Sequence, residues 1–95
     1  MFAVYILASQ RNGTLYIGHT DMLVRRITEH REAIRAGFAA KYGVKLLVYY
    51  EYFEGREGAF ARERAMKKWR RAWKIELIER FNAEWRDLAD ELTAE

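Results

Sequence analysis

"LYIGHTDMLVRRITEH" (residues 15–30) decides the fold, because its hydrophobic period changes in the middle. The first four residues combine aromatic, aliphatic and β-branched side chains with a glycine, as at the end of a buried strand. From Leu23 onward, Leu23, Ile27, His30 and Ile34 recur at spacings of four, three and four. That repeat places them on one face of a helix. Thr20 or Asp21 can cap this helix, and Gly37 can end it. Two polar groups interrupt the apolar face. His30 lies on it, and Arg26 lies beside it, four residues earlier.

The flanking sequence supplies the rest of a small sheet. "FAVYILA" (2–8) is β-rich and runs into "SQRNGT". Asn12-Gly13 is a dipeptide favoured in tight hairpins, since both residues tolerate positive φ. Residues 2–8 and 14–18 are therefore expected to form an antiparallel hairpin. "VKLLVYYEYF" (44–53) is a third strand. A second helix starts near Arg56 and runs to about Trp69, with an inner stripe of Ala59, Phe60, Glu63 and Met66, extending to Lys67. "AWKIELIERF" (72–81) is a third helix that packs through Trp73, Leu77, Ile78 and Phe81, and Asn82 breaks or caps it. "EWRDLADEL" (84–92) is a last short helix with Trp85, Leu88 and Leu92 on one side. The order ββαβααα predicts an α+β fold, a three-stranded antiparallel sheet flanked by helices.

Composition sets further bounds. At 95 residues the chain is expected to be one domain spanning 1–95. Three Trp, six Tyr and five Phe supply enough apolar bulk for one modest core. The absence of cysteine excludes disulfides and thiolate metal sites. The apolar run at the N-terminus is too short to span a membrane and has no basic residues before it. A soluble, cytoplasmic protein that does not enter a membrane is the expectation. Net charge is only +3, but residues 56–74 hold eight Lys/Arg against two Glu, while residues 75–95 hold seven acids against two Arg. Such a basic stretch can attract a polyanion, or it can be a solvated helix face beside an acidic tail.

Glu63 within an apolar stripe needs a partner if it turns inward, because a lone buried carboxylate is costly. A divalent cation or an arginine would provide one. Alternatively, the helix is rotated and Glu63 pairs with Lys67 at the surface. Two tyrosines (Tyr5 and Tyr16), an arginine, a histidine and an acid make a set suited to phosphodiester cleavage. A carboxylate holds Mg²⁺ through oxygen, and a cation with an arginine stabilises charge growing on phosphate. A tyrosine or histidine moves the proton of the attacking water.

These residues resemble the GIY-YIG nuclease domain. "AVY" (3–5) and "YIG" (16–18) stand where the two signature motifs stand. Arg26 and His30 follow in the next helix, Glu63 lies in "ARERAMKKW", and Asn82 lies in "IERFNAEWRDL". "KYGVKLLVYYE", "KKWRRAWKIELIE" and "NAEWRDL" are similar to small stand-alone bacterial members of the family. The first motif departs from the pattern with Ala3 and Val4 in place of Gly and Ile, and Asn82 is followed by Ala83 rather than Pro.

The resemblance implies a DNA endonuclease dependent on Mg²⁺ or Mn²⁺, with little sequence preference, selective for DNA structure and acting in DNA repair or recombination. RNA is the alternative polymer, and no small-molecule cofactor is implied. Glu63 would hold the metal, and Arg26 the phosphate. Tyr5, Tyr16 or His30 would accept the water's proton, with Tyr5 preferred. Asn82 would support the site by hydrogen bonding, and Gly18 would permit close backbone approach. His19, Arg26, Lys41, Lys67, Lys68, Arg70, Arg71 and Lys74 would contact nucleic acid. Two other readings compete with this one. The first is a nucleic-acid-binding module that keeps the GIY-YIG fold without catalysis. The second is a protein-interaction domain using Trp69, Trp73 and Trp85 or the acidic tail. Oligomeric state is left open.

Overall fold

Strand β1 (Phe2–Ala8) is the middle strand of the sheet, between β2 (Leu15–Thr20) and β3 (Leu46–Phe53). Both pairings are antiparallel. This central position explains why "FAVYILA" is apolar without alternation: Ala3 to Ala8 are all buried, because both faces of the strand are covered. The computed structural model describes residues 1–31 and 43–92. Helices α1 (Leu23–Arg31), α2 (Arg56–Lys67) and α3 (Arg71–Phe81) pack with a short 3₁₀ turn at Leu88–Glu91. Ile34, Gly37 and Lys41 lie outside the described residues.

Alternation along β1 sorts the core into two layers. Val4, Ile6 and Ala8 meet Ile17, Val48, Ala59, Met66 and Ile78 on the face covered by α2 and α3. Ala3, Tyr5 and Leu7 meet Leu23, Ile27 and Leu88 on the face covered by α1 and the 3₁₀ turn. The pairing of β1 with β3 shifts by one residue between Ile6 and Leu7, leaving Val48 without a partner in register. This β-bulge lets consecutive Val48 and Tyr49 both contribute to the α2–α3 layer.

Several elements differ in detail from the sequence expectation. The hairpin loop is longer than a two-residue turn, with Ser9 N–H bonded to the Thr14 carbonyl at 3.0 Å. Within the loop only Asn12 has positive φ, at 58°. Gly13 is required for space instead, because a Cβ there would collide with the Ser9 hydroxyl. Thr20 receives the Met22 N–H at 3.1 Å, a local turn that launches α1.

The expected helix over 84–92 is only the 3₁₀ turn. Trp85 sits at φ 56°, which no helix accommodates, and Asp87 starts the turn by accepting the Ala89 N–H at 3.1 Å. Trp73 and Phe81, expected as packing residues, are about half exposed, as is Phe60. The core side of α3 is Ile78, supported by the half-buried Ile75 and Leu77.

Candidate active site

Tyr5, Tyr16 and His30 converge on the α1 face of the sheet. The Tyr5 hydroxyl lies 3.3 Å from His30 Nε2. Ring centroids are 6.3 Å apart for the two tyrosines and 5.4 Å for Tyr16 and His30. Backbone register creates the cluster. Tyr5 pairs with Gly18 across β1 and β2, and a Cβ on Gly18 would stand 2.7 Å from the Tyr5 hydroxyl. The glycine therefore makes room for a protein side chain, a different use from the close ligand approach expected of it. His30 comes from α1, seven residues beyond Leu23, so the buried Leu23 and Ile27 orient it.

Arg26 is half-buried on the same helix, with its Nε 3.4 Å from Glu29. Glu29 also receives Arg25 at 3.6 Å. These three charged residues line a small polar cleft of about 170 Å³ with Thr20, Asp21 and Met22. The periodic pattern of α1 offered no reason to single out Glu29. Its i,i+3 spacing from Arg26 was the available signal.

Glu63 turns inward from α2 and is 7% exposed. It also pairs with Lys67 at 2.5 Å, so the expected ion pair forms although the helix is not rotated to bring Glu63 to the surface. Its second oxygen meets His19 Nδ1. The acid is thus compensated by a lysine and a histidine rather than by an arginine. Burial pushes the Glu63 carboxyl upward, but the hydrogen bonds and charges of Lys67 and His19 outweigh it and hold the group below its usual range. Glu63 is ionised at neutral pH.

Strand alternation puts His19 on the α2 face, opposite the tyrosines. The two halves meet at edge strand β2. There a cleft of about 280 Å³ is lined by Leu15, Tyr16, Ile17, Lys67 and Lys74, so Tyr16 and the lysine on Glu63 share one groove. Tyr5 lies within the field of Arg26, which lowers its phenol, and of Glu63, which raises it. Burial is the largest influence and Tyr16 the next, and together they push the Tyr5 phenol well above its ordinary value.

The remaining expected site residues are placed differently. Asn82 is buried behind β3. Its side chain donates to the Val48 carbonyl at 3.3 Å and the Arg86 carbonyl at 2.8 Å, and accepts the Arg86 N–H at 3.0 Å. These bonds secure the bulge and the chain reversal, and none goes to the tyrosines or Glu63. Arg71 donates to the Asn12 and Gly13 carbonyls at 2.7 and 2.6 Å, fastening the hairpin loop to α3. Lys68 ends α2 and is exposed, and the Arg70 guanidinium lies over Trp73.

Among the described residues, no three His, Cys, Asp or Glu side chains gather to hold a metal ion. A hard cation such as Mg²⁺ needs less, since one carboxylate with water and substrate phosphate suffices. The ionised Glu63 fits that requirement once Lys67 yields an oxygen. No described helix is long and apolar enough to cross a membrane.

The fold and the ordered tyrosine motifs define a family. The family model of the GIY-YIG catalytic domain matches residues 1–76, and the chain belongs to the GIY-YIG family. Among its relatives, the UPF0213 protein CPE1444 of Clostridium perfringens is 39% identical over 75 residues, covering 79% of this chain and 80% of that one. The solution NMR structure of the UPF0213 protein BH0048 from Bacillus halodurans is similar with a TM-score of 0.57 at 27% identity, covering all of both chains.

Proposed function

We propose that this protein is an endonuclease that hydrolyses phosphodiester bonds in DNA with the help of Mg²⁺ or Mn²⁺. Little sequence preference and selectivity for DNA structure go with this reading, as does a role in repair or recombination. The observation that carries it is the groove at β2, lined both by Lys67, the lysine paired with the ionised Glu63, and by Tyr16, whose ring packs against Tyr5 and His30. Nothing in the groove resembles an element for reading base edges, whereas its lysines suit phosphate.

Glu63 would hold the cation, which when bound neutralises phosphate charge and makes water a better nucleophile. Arg26 exchanges Glu29 for the scissile phosphate, replacing one anion by another. Burial keeps the Tyr5 phenol protonated in the free protein. That moves the proton-accepting role from Tyr5 toward His30 or Tyr16, with Tyr5 holding His30 in place. An imidazole is suited to proton transfer near neutral pH.

A non-catalytic nucleic-acid-binding role is the second reading. It is favoured by the closed network in which Lys67 and His19 already satisfy both Glu63 oxygens. Nicking assays on branched, nicked and single-stranded DNA and on RNA separate the two. Metal-dependent nicking that Glu63→Ala abolishes is expected. Full activity of Glu63→Ala, or activity in excess EDTA, would exclude the proposed mechanism.

A further inference from the structure

Helices α2 and α3 form a second cleft of about 480 Å³, lined by Arg62, Trp69, Trp73, Glu76, Leu77 and Arg80. Its two indoles stand edge to face, with centroids 6.4 Å apart. Trp73 leaves 50% of its surface in solvent, an unusual exposure for the largest side chain. Each indole carries a guanidinium: Arg62 lies 5.1 Å from the Trp69 ring centre, and Arg70 lies 5.4 Å from that of Trp73. Arg62 is fixed there by Glu51 at 3.0 Å, and Glu76, the acid of the lining, faces Arg80 at 3.8 Å.

An apolar protein partner would gain little from arginines on both indoles. A nucleobase is suited to them, because its π-face stacks on indole or guanidinium while its phosphate meets positive charge. Arg62, Trp69 and Trp73 of the lining, with Arg70 over Trp73, belong to the stretch with eight Lys/Arg against two Glu, whose charge complements a polyanion, while Glu76, Leu77 and Arg80 come from the segment that follows. Arg62 directly precedes Glu63, so the cleft and the candidate catalytic acid share one turn of α2.

We propose that the Trp69–Trp73 cleft is a subsite that stacks an unpaired nucleobase of a nucleic-acid strand. The inference rests on nucleic acid as the ligand, but not on its cleavage. Phosphate contacts alone would not require exposed indoles. An unpaired base does, since a base within a duplex presents only its edges.

The test is binding of a short oligothymidylate in EDTA at low salt, followed by fluorescence anisotropy and by the protein's tryptophan emission. Quenching of emission is expected for the wild-type protein. Trp73→Leu keeps apolar bulk without a π-face and should weaken binding roughly tenfold or more. Trp73→Phe should retain most of the affinity. An abasic strand of equal length should bind the wild type as weakly as oligothymidylate binds Trp73→Leu.

Equal affinity of Trp73→Leu and wild type would overturn the proposal. So would equal binding of abasic and thymidine strands, or a wild-type dimer that Trp73→Leu dissociates. If Trp73→Leu does not fold, Trp73→Phe with the abasic comparison still decides. Cleavage assays keep the two ideas apart: stacking without nicking removes the nuclease reading alone, and nicking without dependence on Trp73 removes this subsite alone.

Discussion

Gly18 and Tyr5 face each other across two strands, and the phenol occupies the space where a glycine Cβ would be. Gly18→Ala should force the buried ring aside at about 1–3 kcal/mol. Urea unfolding would show the loss of stability, and weaker nicking would show that Tyr5 and His30 had separated.

Tyr5 also makes a pH-dependent contribution. Its phenol is raised in the folded state, mainly by burial and then by Tyr16. The folded protein therefore keeps this proton after the unfolded chain has lost it. The stabilisation is complete below the unfolded phenol value of about 10 and is lost as pH rises above it. Tyr5→Phe should flatten the fall in stability above that pH, as read from urea midpoints. An unchanged alkaline profile would mean that Tyr5 titrates normally.

At the scale of elements, three side chains join segments that are distant in sequence. Asp87 accepts the Leu47 N–H at 3.2 Å, starts the 3₁₀ turn and pairs with Arg31 at 2.9 Å, linking β3, the C-terminal segment and α1. Arg71 ties the hairpin loop to α3. Asn82 serves the bulge in β3, where a carbonyl left out of the ladder needs a donor. Asn82→Ala should cost about 1–3 kcal/mol, because it leaves buried backbone groups unsatisfied. Thermal unfolding measures that loss. A variant of full stability but no activity would instead place Asn82 in the chemistry.

Over the whole molecule, charge is concentrated rather than large. Net charge is +3, yet the segment from 56 to 74 carries eight cationic residues. DNA binding should weaken steeply with salt, and Lys74→Ala should lower the slope of log K against log salt by about one. Arg71→Ala should instead loosen the hairpin, since its guanidinium is bonded to backbone carbonyls. Titrations of binding at several salt concentrations would distinguish the two. Equal slopes for the Lys74 variant and wild type would remove that lysine from the phosphate path.

Local sequence was enough to place three strands and three helices: β-branched and aromatic runs with a turn dipeptide marked the strands, and a repeat of 3.6 imposed by burial on one side marked the helices. It also marked Glu63 and His30 as polar groups on apolar faces, and both proved to have partners. Other features depended on contacts between distant segments. β1 is central because β3 pairs with its second edge, and nothing local to "FAVYILA" distinguishes that from an edge strand covered by helices. His19 reaches Glu63 across 44 positions, Tyr5 leans over Gly18, and Asn82 bonds to a bulge created by strand register. Local pattern determined most of the residues that turn inward, through the hydrophobic effect, with Phe60, Trp73 and Phe81 as exceptions. Only the tertiary structure decided which of those polar groups meet, because a hydrogen bond or ion pair depends on ångström-scale placement that a burial period does not encode.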